Sequence, residues 1–448
     1  MSARKEVPHD CVKAIYMEET VRVFQRQIYL AAKADPKRKF GVLYDKVYRD
    51  DVLAFAWLMV RDNKGSAGVD KQTIGDILRY GVMKLLQEIQ EELKEKRYHP
   101  QAVRRVMIEK GNGKLRPLGI PTVKDRIVQT AVKLVIEPIF EADFADCSFG
   151  FRPKRGAHGA IKEIYKYLNF GCRWVVDADL KAYFDTIPHD KLLLLVKQRL
   201  TDKGIIKLLQ LWLSAGVLSE GTITRNTIGT PQGGVISPLL ANIYLNALDQ
   251  LWVRQGYSLR KYNAQLIRYA DDFVILCSKQ PEQYFEIAKA RLTRLGLTIN
   301  EEKTKIVHAS DGFDFLGFTF IVAPSEKTGK LNSYYYPSDK SMLKMKANVK
   351  AIIKDGQHKE LPEVINLLNP VLKGWGNYFK TGNSKERFHE IDQYIVYNLT
   401  IMLRKKHHKK AKGWREHPPS FYYDNHGLVS LLKMTTQKSD DAGRYGRK

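Results

Sequence analysis

The chain has 448 residues, more than one compact domain usually holds, and 44% of them are apolar, so two or three folded domains are expected and a mainly disordered protein is excluded. The formal net charge of +25 favours a nucleic-acid partner, with a merely soluble basic protein as the alternative. The four cysteines are far apart and form no C-x-x-C pair, which argues against zinc fingers and a disulfide scaffold and fits a reducing compartment.

The first 40 residues mix apolar and basic positions and are expected to form a helical lead-in followed by a linker. They lack the apolar core of a signal peptide, and no apolar run in the chain approaches the ~20 residues that cross a bilayer. We therefore expect a soluble cytoplasmic protein with no membrane partner.

Between residues 41 and 320, helical and strand patterns alternate. Apolar residues at helical spacing predict helices over 126–140 and 284–295. A serine–proline pair at Ser237 predicts the start of another helix, because serine caps and proline suits the first turn. A short apolar run over 175–179 predicts a buried strand.

After residue 321 the chain becomes more basic, with 24 Lys or Arg against 12 Asp or Glu over 321–448. Apolar residues follow helical spacing from Met342 to Ile352 and from Phe388 to Met402. We predict a mostly helical second domain over 321–412 that faces nucleic acid, followed by a basic C-terminal segment over 413–448.

The most informative local pattern is a pair of adjacent carboxylates, Asp271 and Asp272, between two strand-like runs in 266–277. Ala270-Asp271 has the length of a tight hairpin turn. Two like charges among apolar residues repel each other, and a bound divalent cation would relieve that repulsion. On this segment alone, a solvent-exposed turn explains the pattern equally well.

A second acidic segment shifts that balance. The strand over 175–179 runs into Asp177, Asp179 and Asp185, with two aromatic residues between the last two. Mg²⁺ takes oxygen ligands, and usually only one or two protein carboxylates, so that water and phosphates complete its coordination. One carboxylate from this strand and two from the hairpin would hold two ions ~4 Å apart, which activates a 3′-hydroxyl and stabilises a leaving pyrophosphate.

These segments resemble those of a known enzyme family. Tyr269-Ala270-Asp271-Asp272 is similar to the Y-x-D-D signature of reverse transcriptases, and Asp179 to Asp185 resembles the first catalytic motif of their palm domain. Further blocks occur in the family's order at 63–70, 114–122, 147–153, 230–244, 300–304, 315–318 and 374–379. The block at 230–244 is typical of group II intron enzymes, and 374–379 resembles their maturase or thumb domain. The resemblance to bacterial group II intron-encoded reverse transcriptases covers roughly residues 45–410.

The resemblance implies a fold and a set of metal ligands. The fold is an α+β right-hand polymerase: a 1–40 extension, fingers and a palm with an antiparallel sheet over 41–320, and a helical thumb or maturase domain over 321–412. The family's three metal-binding aspartates fall on Asp179, Asp271 and Asp272. The carbonyl of Leu180 is a further implied ligand, and two Mg²⁺ ions, or Mn²⁺, are the implied cofactors.

The resemblance also implies residues around the nucleotide. Phe184 is expected beneath the incoming sugar, where its ring excludes a 2′-hydroxyl, whereas Tyr183 is expected in the core. Lys110 and Arg116 flank a glycine-bearing turn and are expected on the triphosphate, with Lys114 as a competitor for that role. Two further candidates are Gln232, in a glycine-rich loop, and Lys303, near the primer end or a phosphate.

In the helical domain, Lys373, Trp375, Tyr378 and Lys380 interleave basic and aromatic residues, as a surface that binds nucleic acid does. Packing of the two aromatics in the core is at least as good an explanation. A dense basic run is expected to contact the RNA backbone, with a solvated tail as its alternative. Its cations are Arg404, Lys405, Lys406, Lys409 and Lys410.

The implied function is RNA-directed DNA polymerisation, together with binding of a parent group II intron RNA as a maturase. The implied partners are that intron RNA, an RNA template with a DNA primer, deoxynucleotides and target DNA. Nothing after Gly413 resembles the His-Asn-His endonuclease module of many relatives, so we expect no cleavage of the second DNA strand. The alternatives are a splicing cofactor without polymerase activity and a free-standing reverse transcriptase in defence or repair. The sequence does not determine the oligomeric state.

Overall fold

The computed structural model describes residues 9–109, 115–219, 222–224, 228–230, 233–259, 263–406 and 418–436. The chain forms two compact units. Unit 1 comprises residues 1–156, 178–275 and 282–305, and unit 2 comprises residues 157–177, 276–281 and 306–448. No helix within these described ranges combines the length and the apolar character needed to cross a membrane.

Unit 1 contains most of the described helices. They are α1 His9–Ala34, α2 Tyr44–Val47, α3 Asp50–Asp62, α4 Ile74–Tyr80, α5 Val82–Lys94, α6 Val123–Glu141, α8 Tyr183–Thr186, α9 His189–Lys197, α10 Lys203–Ser214, α11 Ser237–Arg254 and α12 Pro281–Leu295. Helix α6 is buried on most of its surface, with α1 and α3 packed against it. Its N-terminus is capped by Thr122, whose hydroxyl accepts from the Asp125 amide at 3.0 Å.

The helices predicted from sequence are present. The helix predicted over 126–140 is α6, the one predicted from Ser237 is α11 with proline in its first turn, and the one predicted over 284–295 is α12. Observed boundaries differ by up to three residues at the N-terminal ends, where capping rather than apolar spacing decides the start.

The remaining helices belong to unit 2 and are α7 Ala157–Asn169, α13 Asp339–Asp355, α14 Leu361–Phe379, α15 Lys385–Lys406 and α16 Leu431–Thr436, with a π-helical turn over Phe421–Asn425. Helices α13, α14, α15 and α16 pack on one another. Both apolar periodicities noted in the sequence, 342–352 and 388–402, lie within α13 and α15.

Within the described ranges, the strands form three sheets. They are β1 Val103–Glu109, β2 Leu115–Ile120, β3 Trp174–Ala178, β4 Val217–Ser219, β5 Thr222–Thr224, β6 Ala264–Tyr269, β7 Asp272–Cys277, β8 Lys305–His308, β9 Phe313–Phe315, β10 Phe318–Pro324 and β11 Leu331–Pro337. The strand orders are β2-β1-β4-β5, β6-β7-β3-β8 and β11-β10-β9. In the first sheet β1 and β2 pair antiparallel, with Glu109 opposite Leu115.

The described chain after residue 321 is mostly helical, as expected, but its first part forms a strand pair instead. Strand β10 continues to Pro324, and β11 pairs with it antiparallel from Leu331 to Pro337. Three consecutive tyrosines in β11 favour a strand, because aromatic side chains suit a half-buried pleated surface. Helices begin only at Asp339.

Candidate active site

The paired carboxylates lie on a hairpin turn. Strand β6 ends at Tyr269 and β7 begins at Asp272, so a two-residue connection joins them. Ala270 has φ +58°, the left-handed conformation that a tight hairpin turn requires. The predicted turn is confirmed, and it places Asp271 at its tip and Asp272 at the exposed first position of β7.

Strand pairing places the end of β3 beside this turn. The amide of Arg173, just before β3, donates to the carbonyl of Cys277, the last residue of β7, at 3.0 Å. The two strands are neighbours in the sheet, and since the start of one lies beside the end of the other, they run antiparallel. Counting along both strands from this bond puts Asp179 opposite Asp271.

The carboxylate of Asp179 is held by a neighbouring segment of unit 1. Its Oδ2 accepts from Lys303 Nζ at 3.0 Å and from Asn300 Nδ2 at 3.2 Å. Its carbonyl accepts from the Asn300 amide at 2.8 Å, and its own amide donates to the Thr304 hydroxyl at 3.4 Å. Backbone and side chain are therefore fixed together.

The pKa of the Asp271 carboxyl reflects the same neighbouring residues. Burial raises the pKa of the Asp271 carboxyl above its usual value, and the nearby Asp179 raises it further. Arg116 and Arg268 oppose this rise in pKa, as does a hydrogen bond to the backbone. Two carboxylates close together, one of them in a half-buried position, form a setting in which a divalent cation is stabilised, although the nearby arginines offset part of that effect.

The donor chemistry suits hard divalent ions, since carboxylate and carbonyl oxygens are the ligands that Mg²⁺ and Mn²⁺ prefer. The positions of the described side chains, in contrast, do not form a complete metal site. Within the part of the chain that the structure describes, no three His, Cys, Asp or Glu side chains are grouped closely enough to hold a metal ion. The ammonium of Lys303 lies instead beside the Asp179 oxygen.

Leu180 and Phe184 follow Asp179 in the chain, and both side chains are buried. Leu180 is buried and pairs with Ile299 in an isolated antiparallel bridge. Phe184 is buried, and its carbonyl accepts from the Thr230 amide at 2.6 Å, so residues 228–230 lie against it. Tyr183 is also buried, its hydroxyl donating to the Ala241 carbonyl at 2.6 Å, which fits the core role expected for it.

Of the nucleotide-binding candidates, Arg116 on β2 interacts with Asp271, and Lys303 contacts Asp179. Lys110, its competitor Lys114 and Gln232 lie outside the described residues. The residue after Gln232 is Gly233, where an added Cβ would lie 2.4 Å from the Gly119 carbonyl oxygen of β2. A side chain at that position would clash with backbone, so only glycine lets the loop approach β2 so closely.

In unit 2, the two candidate aromatics belong to a packed cluster. Trp375 is half-buried, with its ring 4.7 Å from that of Phe379 and 5.3 Å from that of Phe388. Tyr378 is half-buried and donates its hydroxyl to the Leu316 carbonyl at 2.9 Å. The packing alternative stated for these residues accounts for their surroundings.

The candidate cations of unit 2 differ in how far they are already engaged. Lys373 and Lys405 are exposed, and Lys380 Nζ donates to Asn377 Oδ1 at 3.0 Å. Lys406 Nζ donates to Glu360 Oε1 at 2.5 Å, so its charge is partly neutralised within the chain. Arg404 is half-buried, and Lys409 and Lys410 lie outside the described residues.

Sequence reasoning missed the residues that support the turn. Arg268, Asp249 and Asn242 are buried together in unit 1, and Asn300 holds Asp179. A signal was present, since Arg268 interrupts an apolar strand and Asp249 an apolar helix, and buried charges need partners. Which partner each would find depends on tertiary contacts.

Two family models match the chain. Residues 108–320 match the reverse transcriptase (RNA-dependent DNA polymerase) model, and residues 342–418 match the group II intron maturase-specific domain. The first match contains the hairpin turn, Asp179 and Lys303. These matches therefore define the class of protein: an RNA-dependent DNA polymerase with a right-hand architecture, joined to a maturase domain.

Curated relatives agree. Protein YkfC of Escherichia coli strain K12 is 37% identical over 66% of this chain and 87% of its own length. The group II intron-encoded protein LtrA of Lactococcus lactis subsp. cremoris is 28% identical over 92% of this chain and 81% of its own length. An uncharacterized 91 kDa protein in the cob intron of Schizosaccharomyces pombe is 29% identical over 84% of this chain and 55% of its own.

The chain belongs to the group II intron-encoded reverse transcriptases with maturase function. It is an enzyme that synthesises DNA on RNA, it binds intron RNA, and its family uses divalent metal ions. A splicing cofactor without polymerase activity is not favoured.

Proposed function

We propose that Asp179, Asp271 and Asp272, with the carbonyl of Leu180, hold two Mg²⁺ ions at which a primer 3′-hydroxyl attacks a deoxynucleotide. Bound there, the ions would activate the attacking oxygen and stabilise the leaving pyrophosphate. The observation that carries this proposal is the antiparallel pairing of β3 with β7, which brings Asp179 beside the turn that carries the half-buried Asp271. Mn²⁺ is expected to substitute, because it accepts the same oxygen ligands.

The chain's own residues then position the nucleotide. Arg116, with Lys110, would bind the triphosphate and offset negative charge that develops on the leaving group. Lys303 would leave the Asp179 oxygen when an ion binds there and would neutralise a nearby phosphate. Gln232 would contact the nucleotide from a loop whose glycines permit close approach. The ring of Phe184 would lie under the sugar and exclude a 2′-hydroxyl.

The partners follow from the reaction. The substrates would be an RNA template paired with a DNA primer and deoxynucleotides, with target DNA supplying a primer in mobility. Residues 41–320 would form fingers and palm, and residues 321–412 the thumb. Lys373, Lys380, Arg404, Lys405, Lys409 and Lys410 would contact RNA phosphates. Smaller contributions would come from Lys406, which already pairs with Glu360, and from the half-buried Trp375 and Tyr378.

The experiment compares primer extension on an RNA template by the parent protein, Asp271→Asn and the surface variant Asp311→Asn. Loss of one carboxylate that stabilises the transition state should lower the rate at least ~10³-fold. Asp311→Asn should match the parent, since Asp311 is exposed. Binding of intron RNA, measured by filter retention, should be equal for all three. Equal extension by Asp271→Asn and the parent would refute the assigned site.

A further inference from the structure

The hairpin turn is fixed by a fully buried arginine. Arg268 lies in β6 with no exposed surface, and its Nε donates to both Asp249 carboxylate oxygens at 2.9 and 3.2 Å. Its Nη1 donates to Asn242 Oδ1 at 2.9 Å and to the carbonyl of Ala270 at 2.8 Å. One guanidinium thus joins α11 to the residue that immediately precedes Asp271.

Asn242 extends this network to the other side of the turn. Its Nδ2 donates to the Gly150 carbonyl at 2.8 Å, so the amide both donates and accepts. Gly150 packs directly on the turn: a Cβ added there would lie 2.3 Å from the Ala270 nitrogen. Because Ala270 is held at φ +58°, which L-residues rarely adopt, the turn needs such support to keep its conformation.

The backbone beside Arg268 is bound as well. The Arg268 amide donates to the Cys147 carbonyl at 2.8 Å, and the Phe149 amide donates to the Arg268 carbonyl at 2.9 Å. Residues 147–150 therefore run alongside the end of β6, while α11 supplies the buried side chains. The turn is contacted from two directions.

Stability alone does not account for this arrangement. A buried ion pair contributes little net stability, because the cost of removing both charges from water offsets their attraction, and apolar residues often replace such pairs without loss. Apolar side chains could fill the same space. They could not donate a hydrogen bond to the Ala270 carbonyl.

We infer that Arg268, Asp249 and Asn242 are positioning residues for polymerisation, which set the conformation of the 269–272 turn so that Asp271 faces Asp179. This inference rests on the role proposed above for Asp271. None of the three touches substrate; they act through the backbone that carries the aspartates.

The first test replaces the ion pair by apolar residues in the full-length protein, Arg268→Met with Asp249→Leu. The expected result is a folded protein by circular dichroism with kcat lowered about 10- to 100-fold, since small misplacement of a reacting group is costly. The Mg²⁺ concentration at half-maximal rate should rise several-fold, and KM for the primer–template should not change. A merely structural role would not move the Mg²⁺ midpoint.

The matched control is Arg199→Met. Arg199 is another buried arginine of unit 1, paired with Asp143 at 3.2 Å and donating to the Ala32 carbonyl at 2.9 Å. Among the described residues, its guanidinium bonds go to residues 32–36 and 143 and not to the turn. Its loss should alter thermal stability without moving kcat or the Mg²⁺ midpoint. A shift of the midpoint equal to that of the double variant would show that destabilisation alone causes it, and would overturn the inference.

Asn242→Asp provides a second variant that conserves shape. It keeps an acceptor for Arg268 but loses the donor to the Gly150 carbonyl, and kcat should fall about 10-fold with the same shift in the Mg²⁺ midpoint. If the double variant does not fold, this variant decides. Parent kcat and midpoint in the folded variants would overturn the positioning role. If Asp271→Asn is inactive at the same time, the proposed function survives that result.

Discussion

Two motif-bearing regions use their side chains differently. In the hairpin turn of unit 1, carboxylates are placed near each other although their charges repel, and a buried network holds the backbone beneath them. In residues 374–379 of unit 2, the aromatic side chains pack against one another, and Gly376 lies directly against helix α16. A Cβ on Gly376 would lie 2.6 Å from the sulfur of Met434.

The difference shows how residue type separates chemistry from packing. Carboxylates in apolar surroundings cost free energy unless a ligand or partner compensates, so their presence indicates function. Aromatic residues stabilise a core directly. Packing within the fold therefore explains why residues 374–379 resemble the family's motif. Phe184 is the exception to test, because it is an aromatic residue that we propose lies under the sugar and excludes a 2′-hydroxyl.

After the loss of extension expected for Asp271→Asn, the next largest effect is expected at Phe184. Phe184→Val should lower the preference for deoxynucleotides over ribonucleotides roughly 100-fold, because the smaller side chain leaves room for a 2′-hydroxyl. The measurement is kcat/KM for dCTP and rCTP on one template. Tyr183→Phe is the control, since Tyr183 donates to the Ala241 carbonyl and its ring is expected to have no role in selection. An unchanged ratio of kcat/KM for dCTP to that for rCTP in Phe184→Val would show that Phe184 is only a core residue.

Trp375 tests the packing side of the comparison. Trp375→Ala should reduce the free energy of unfolding by about 2 kcal/mol, less than for a fully buried ring, since it removes contacts with Phe379 and Phe388. Urea unfolding followed by circular dichroism measures this loss, with Trp375→Phe as a milder control. Weakened intron RNA binding by a variant of undiminished stability would show that Trp375 binds RNA rather than packs.

Lys303 tests whether the cation beside Asp179 takes part in the reaction. Lys303→Gln removes a charge 3.0 Å from the Asp179 carboxylate and should lower kcat/KM for the deoxynucleotide about 10-fold. Lys305→Gln, which changes an exposed lysine two residues away, should match the parent in single-turnover assays. Equal effects of both variants would indicate a general loss of positive charge.

The smallest effect is expected at Lys373. If this exposed lysine contacts one phosphate, Lys373→Gln should weaken RNA binding a few-fold and reduce the slope of log affinity against log salt by about one. Lys406→Gln should change the slope less, because Lys406 already pairs with Glu360. Binding across a salt series measures both, and a larger change for Lys406 would contradict this ranking.

Local patterns predicted much of this molecule. The hairpin, α6, α11, α13 and α15 follow from apolar spacing, turn length and capping, which are properties of neighbouring residues. Strand β11 was missed although its tyrosines favour a strand, because its pairing with β10 is what stabilises it.

The sequence predicted those parts of the site whose chemistry follows from the type of residue. Asp271 and Asp272 were identified as candidates because apolar neighbours do not explain adjacent carboxylates, whereas Asp179 was chosen from the acidic residues of its segment by the family resemblance. The contact of Lys303 with Asp179 joins residues that are distant in the chain. The hydrogen bond from Arg268 to the Ala270 carbonyl depends on the backbone conformation of the turn. Such contacts depend on tertiary structure, which local pattern does not encode.

The central claim is that Asp179 and Asp271 share divalent ions during polymerisation. Its most direct test is a crystal structure of the protein with an RNA template, a DNA primer, a non-hydrolysable deoxynucleotide and Mn²⁺, using anomalous scattering to locate manganese. The account predicts manganese coordinated by both carboxylates, with Lys303 Nζ displaced from the Asp179 oxygen. Manganese bound away from Asp179 and Asp271, with Lys303 still paired to Asp179, would contradict it.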